Sequence, residues 1–468
     1  MMVSGKVRIM IEKVTIGSLQ LRIILLSFNI VLGLYSFAVS EGYAQTGNTS
    51  TEDTRTKQLK FEEPINLTNN LRDSVYAQVA SHGNEVYMVW QENPPSSPVP
   101  ENSNLINYDV FIKKSVDGGL TFGKEINLSN NLGFSEHPQI AVSGNNVHVA
   151  WIDNSPSMAS TTTPENKKIL YRTSIDEGNT FGKTITLSNT SSADSYNQEM
   201  AAAGNNVYVV WQETPLPAAD QGSAKSGNLG TNADNESDRS SVREHFSSIS
   251  FVASVDSGET FKKTKSISNS AFKSYPKIAA FGNSVFMTWN VGIIGDNSDI
   301  GNTGIFFTKS LDIGNSFSDT MKLNSNWNSV GESQVAAYGN NVYVVWGGNP
   351  DDKIVGNLFY SKSSDNGDTF SAARSLTEKN TLNVEVTADN DIVYVAWQGV
   401  LPNGNEEILI KSSLDSGSTF TNINENISRN DGISECTSIS ISEETEKVYV
   451  AWEDDTPGNH DILFAHSI

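Results

Sequence analysis

Two sets of residues in this chain have the type and the spacing to do chemistry. The first is six carboxylates, Asp117, Asp176, Asp256, Asp312, Asp365 and Asp415, each inside a box of the form Ser-x-Asp-x-Gly-x-Thr/Ser-Phe, as in Ser174-Asp176-Gly178-Thr180-Phe181. A carboxylate can act as acid, base or cation ligand, but each box holds one, and hard cations need many oxygens. The boxes therefore read as turns: the Asp accepts backbone N–H groups, the Gly takes a positive φ, and the Phe packs back beneath its hairpin. The second set is one polar side chain per repeat, Gln78, Gln139, Glu199, Lys277, Gln334, Glu385 and Ser438, which suits hydrogen bonding to a polar ligand. None of these is Arg. Guanidinium chemistry would have to come from Arg72 and Arg429, in neighbouring connections close in sequence to Asp73, Tyr76, Asp431 and Glu435, or from Arg239 and Arg243. His137, His148 and His245 lack metal-ligand spacing, so neither a metal nor another cofactor is expected.

The elements that must position these residues repeat as well. A string close to Val-Tyr-Val-Val-Trp ends at Trp90, Trp151, Trp211, Trp289, Trp346, Trp397 and Trp452, each after a turn rich in Gly, Asn, Asp or Glu. One cycle, from Ile126 to Leu187, holds four runs of β-branched and aromatic residues separated by such turns, which predicts four strands. The Trp strand is apolar at consecutive positions, so both its faces are buried, as in a sheet covered on each side by its neighbours in a ring. The expectation is an all-β fold, a seven-bladed β-propeller of four-stranded antiparallel blades over residues 60–468. Seven Trp strands against six boxes is resolved by the termini. Asp461–Ile468 is a third strand without a box, and Pro64–Asn70 supplies the missing fourth, so the N-terminal strand completes the last blade. Successive Trp residues lie 51–61 apart except for the 78 between Trp211 and Trp289, where Gln212–Phe246 reads as a mobile loop insertion. Boxes and Gly-Asn turns fall on one face of the ring. The long variable connections fall on the other, so a binding site is expected there, at the channel mouth.

Net charge is −22, and because residues 1–44 contribute two positive charges the remainder carries −24. Such a surface repels phosphate backbones and anionic lipid, which excludes nucleic acid as an expected partner. Lys6, Arg8, Lys13 and Arg22, the apolar run Ile23–Val39 and the small residues to Ala44 read as a secretory signal, followed by a flexible linker over 45–59. The alternative is an uncleaved anchor, the one membrane contact expected. Localisation is then secreted or on the extracellular face of the envelope. Cys436 is alone, so no intrachain disulfide forms. Asn48, Asn66, Asn127, Asn189, Asn235 and Asn426 are glycosylation acceptors by pattern, at a number near chance for this composition.

The boxes resemble the Asp-box (BNR) repeats of sialidase-like propellers, with Phe where that family usually has Trp. The resemblance implies a glycoside hydrolase that grips a carboxylate with three arginines and uses a Tyr nucleophile paired with Glu, together with an acidic proton donor. This chain departs from it: Phe61-Glu62-Glu63-Pro64 stands where the family has an Arg-Ile-Pro-like segment, and the blade count is seven, not six. The expected function is a non-catalytic propeller binding a glycan or protein partner through Gln78, Gln139, Glu199, Lys277, Gln334, Glu385, Arg72 and Arg429. The alternatives are a sialidase-like exo-glycosidase and an extracytoplasmic assembly scaffold.

Overall fold

The computed structural model describes residues 59–93, 107–131, 133–155, 166–188, 192–216, 247–270, 275–291, 304–324, 329–349, 356–377, 381–456 and 458–468, and the backbone of 11–16 and 19–24. The chain forms two units, Met1–Thr54 and Arg55–Ile468. In the first, Ile11–Ile16 pairs antiparallel with Leu19–Ile24. Most of the apolar run to Val39, the small residues after it and the linker to 58 lie outside the described residues.

The second unit is a propeller of seven four-stranded antiparallel sheets. Blade 1 runs from its inner strand Ser74–His82 through Glu85–Glu92 and Asp109–Ser115 to Ile126–Asn127. The inner strands of consecutive blades are neighbours around the ring, with Ser434–Ile441 of blade 7 against Ser74–His82 of blade 1. Blade 7 takes its outer strand from the N-terminal side of the chain: Ile65 and Asn66 pair with Phe464 and Leu463. Phe61 bridges to Ser467, and both Phe61 and Leu67 are buried.

The Trp strands are buried along their length, as Glu85–Glu92 shows at all but its first residue. They feed seven inter-blade clusters, such as Val89, Val147, Val149 and Trp151 between blades 1 and 2. In blade 3 the Trp strand runs to Pro215, so the segment expected to be a loop from Gln212 begins as strand; 217–246 lies outside the described residues.

Each box is a hydrogen-bonded turn. Ser174 Oγ donates to Asp176 Oδ1 at 2.7 Å and accepts the Gly178 N–H at 2.8 Å; Asp176 accepts the Thr180 N–H at 2.9 Å and its hydroxyl at 2.6 Å. These bonds, led by the Thr180 hydroxyl, hold Asp176 down at about 2. The box Phe also reaches beyond its own hairpin. It meets the preceding blade edge-on: Phe122 against Phe464, Phe261 against Tyr171, Phe317 against Phe251, Phe370 against Phe307 and Phe420 against Tyr360. The Gly serves the same interface. At Gly258 (φ 79°) a Cβ would stand 1.8 Å from Tyr171 Oη. The box thus staples blade to blade as well as strand to strand.

Candidate functional site

The inner strands converge on the channel, and each carries its ring residue at the same phase of the repeat. Just before it, the pairing with the Trp strand slips. In blade 1, Val75 pairs with Gln91 and Gln78 with Val89, so Tyr76 and Ala77 together face the single Trp90. The same two-against-one β-bulge faces Trp151, Trp211, Trp397 and Trp452. Its first residue takes a left-handed backbone in all five blades: Tyr76 (φ 56°), His137 (50°), Asn197 (50°), Asn383 (43°) and Cys436 (50°). Backbone of that kind is costly for side chains such as Tyr, His or Cys, and such strain concentrates at functional sites. The bulges are pinned from neighbouring blades: Gln91 Oε1 accepts the His137 N–H at 3.0 Å, and Glu453 Oε1 accepts the Tyr76 N–H at 2.6 Å.

The bulges, with the matching segments of blades 4 and 5, add a second tier of side chains to the mouth. A cavity of about 250 Å³ is lined by Gln78, Gln139, Glu199, Lys277, Gln334 and Glu385 and, two residues before each in sequence, by Tyr76, His137, Asn197, Tyr275, Glu332 and Asn383. Six of the proposed binding residues therefore share one cavity. Arg72 and Arg429 are not in its lining. Arg72 Nε donates to the Asn93 carbonyl at 3.0 Å, and Arg429 Nε to the Asn426 carbonyl of its own turn at 2.8 Å. Ser438 is buried beside the mouth and donates to Gln78 Oε1 at 3.2 Å.

The mouth's charges are coupled. Lys277 Nζ donates to Glu199 Oε1, and Gln334 Nε2 to Glu385 Oε1 at 2.6 Å. Burial opposes the Lys277 charge, but Glu199, Glu332 and Glu385 outweigh it and hold the ammonium charged. Burial pushes Glu385 up to about 8, with Glu199 and Glu332 adding to the rise and Lys277 opposing it. Burial also raises Tyr76, seconded by Glu453, and Tyr275, seconded by Glu332, so both phenols stay protonated. His137 is lowered by burial and stacks, tilted, at 3.9 Å on Tyr76. The arrangement donates and accepts hydrogen bonds through amides and phenols around an internally neutralised ion pair.

The binding set read from the sequence does not include His137, Tyr275, Glu332, Asn197 or Asn383. The available signal was their constant spacing of two residues before each ring position. In blades 1, 2 and 7 what hides it is that Tyr76, His137 and Cys436 are not residue types that announce a left-handed bulge.

No family model matches the chain, and no curated protein matches it. Among solved structures it is similar to a Hadza microbial sialidase, at 12% identity and a TM-score of 0.46 over 84% of this chain and 65% of that one. It is also similar to Trypanosoma rangeli sialidase in complex with sialic acid, at 12% identity and a TM-score of 0.43 over 88% and 58%. A protein of unknown function from Dyadobacter fermentans is similar at 14% identity and a TM-score of 0.48 over 88% and 100%. The chain thus spans 58–65% of the length of these sialidases.

Proposed function

We propose that this protein is an extracytoplasmic, non-catalytic Asp-box propeller that binds a neutral glycan at the channel mouth. The observation that carries the reading is the chemistry of the lining. Carboxamides (Gln78, Gln139, Asn197, Gln334, Asn383) and protonated phenols (Tyr76, Tyr275) surround a Glu199–Lys277 pair that satisfies itself, and no guanidinium lines the mouth among the described residues. Sugar hydroxyls donate and accept, as carboxamides do, and sugar faces pack on Tyr rings. A sialate carboxylate would instead face Glu199, Glu332 and Glu385 with one ammonium already engaged.

The test is binding of the purified chain to an immobilised panel of neutral and sialylated oligosaccharides, alongside hydrolysis of a fluorogenic sialoside from acidic to neutral pH. Retention on neutral glycans that Gln78→Ala and Gln139→Ala reduce, with no turnover, is the expected result. Silence on every glycan refutes the reading and leaves a protein partner as the ligand.

A second reading, an exo-glycosidase, has one observation in its favour: a general acid needs a carboxyl protonated near neutral pH, and Glu385 is pushed up to about 8. Sialoside turnover abolished by Glu385→Gln would establish it. Turnover abolished by Arg429→Ala would instead point to an arginine-dependent sialidase.

A further inference from the structure

At the rim of the mouth, where blade 7 meets blade 1, Glu435, Glu453 and His460 each bring one ligand atom to within 4.8 Å of the other two. Glu435 and Glu453 are direct partners across the strand ladder, a placement in which like charges repel. Among the described residues no Lys or Arg forms an ion pair with either carboxylate, and none joins His460 to them. Glu453 is 4% exposed. His460 is anchored through its backbone, its carbonyl accepting the Ser74 N–H at 2.8 Å, while its Nδ1 is enclosed and has no hydrogen-bond partner. A buried imidazole nitrogen left unsatisfied is costly unless something absent from the protein chain fills the place.

The choice of Glu at 453 points the same way. Gln91 occupies the equivalent place after Trp90 and pins the next blade's bulge with a neutral amide oxygen. Pinning the Tyr76 N–H therefore does not require a carboxyl, yet one stands there, directly across the ladder from that of Glu435.

We propose that Glu435, Glu453 and His460 form a binding site for a divalent first-row transition-metal ion. Two carboxylate oxygens and one imidazole suit Zn²⁺ or Mn²⁺, whereas Ca²⁺ asks for more oxygens and no nitrogen. Ligand atoms about 2.0–2.1 Å from Zn²⁺ lie roughly 3.3 Å apart around a tetrahedron, so the side chains close by an ångström or so when the ion enters. Three protein ligands would leave a coordination position open, and Tyr76 and Cys436, which line the mouth, are bonded to or next in sequence to these ligands. The site is independent of which ligand the mouth holds.

The test is titration of the chelator-stripped full chain with Zn²⁺ against a chromophoric competitor, with Co²⁺ absorption as a second readout. One equivalent is expected. His460→Ala and Glu453→Gln should each weaken it by on the order of tenfold or more. Glu453→Gln keeps an acceptor for the Tyr76 N–H, and His460→Asn is a milder second variant if His460→Ala misfolds; circular dichroism in chelator checks each fold. Absence of saturable binding overturns the proposal. So does a stoichiometry that survives both His460 variants, or one abolished instead by His82→Ala at the exposed His82–Glu444 pair.

Discussion

Replacing Lys277 by Met should make the propeller's stability depend steeply on pH. The ammonium sits among Glu199, Glu332 and Glu385 and bonds Glu199 directly; Lys277 and Glu199 keep only 14% and 17% of their side-chain exposure. Met fills a similar volume, so the loss is of charge rather than of packing. Without the cation, Glu199 either stays ionised in a desolvated site or takes up a proton. The second route sets the ceiling. Holding a carboxyl of ordinary value 4.5 protonated costs about 1.4 kcal/mol per pH unit above that value, which is about 5 kcal/mol at pH 8 and below about 1 kcal/mol at pH 5. Breaking a buried pair by removing one partner gives a similar figure, roughly 3–5 kcal/mol. For a folded unit of about 410 residues a 4 kcal/mol loss lowers Tm by about 4–5 °C. The native protein already leans this way: the folded state holds a proton on Glu385 that the unfolded state releases. That contribution is complete below pH 4.5 and fades as pH rises through about 8. The assay is urea and thermal unfolding of wild type, Lys277→Met and Lys277→Met/Glu199→Gln at pH 5 and pH 8. The single variant should lose stability mainly at pH 8, and the double variant should recover more than half of it. An equal loss at both pH values would refute the electrostatic account.

Three further outcomes follow from the same physics. Ser363→Ala removes the hydroxyl that donates to Asp365 and accepts the buried Gly367 N–H, and should cost about 1–3 kcal/mol by urea unfolding; Ser364→Ala, next to it, should cost little. Deleting residues 1–69 strips the outer strand from Asp461–His466 and bares its edge, so size-exclusion chromatography should show aggregates or strand-exchanged dimers in place of the full chain's species. The box aspartates at about 2, Asp117, Asp176, Asp256 and Asp415, add stability that is present above pH 3.8 and lost as pH falls toward 2. Acid unfolding followed by Trp fluorescence should therefore begin below about pH 4 and shift upward in Asp176→Asn.

Much of this architecture is legible without coordinates because it is local and repeated. Consecutive apolar residues ending in Trp require burial on both faces. A Ser, an Asp and a Gly at fixed spacing close one turn whatever surrounds them, and a third strand at the C-terminus with an unmatched fourth near the N-terminus closes the ring. The phase of Gln78, Gln139, Glu199, Lys277, Gln334 and Glu385 was likewise readable, since one position per repeat of an inner strand must reach the channel. What only the tertiary structure decided is where separate repeats touch. The box Phe crosses to the preceding blade, the bulges turn Tyr76, His137, Asn197, Asn383 and Cys436 into the mouth, and Lys277 meets Glu199 from 78 residues away. Arg72 and Arg429 looked available by position, yet their guanidinium nitrogens are drawn to nearby carbonyls. Glu435, Glu453 and His460 come from two strands and a connection and carry no spacing signature. Periodicity encodes the interactions a residue makes within its own repeat. Contacts between blades depend on the angle and register at which closed sheets pack, and those emerge only when the ring has formed.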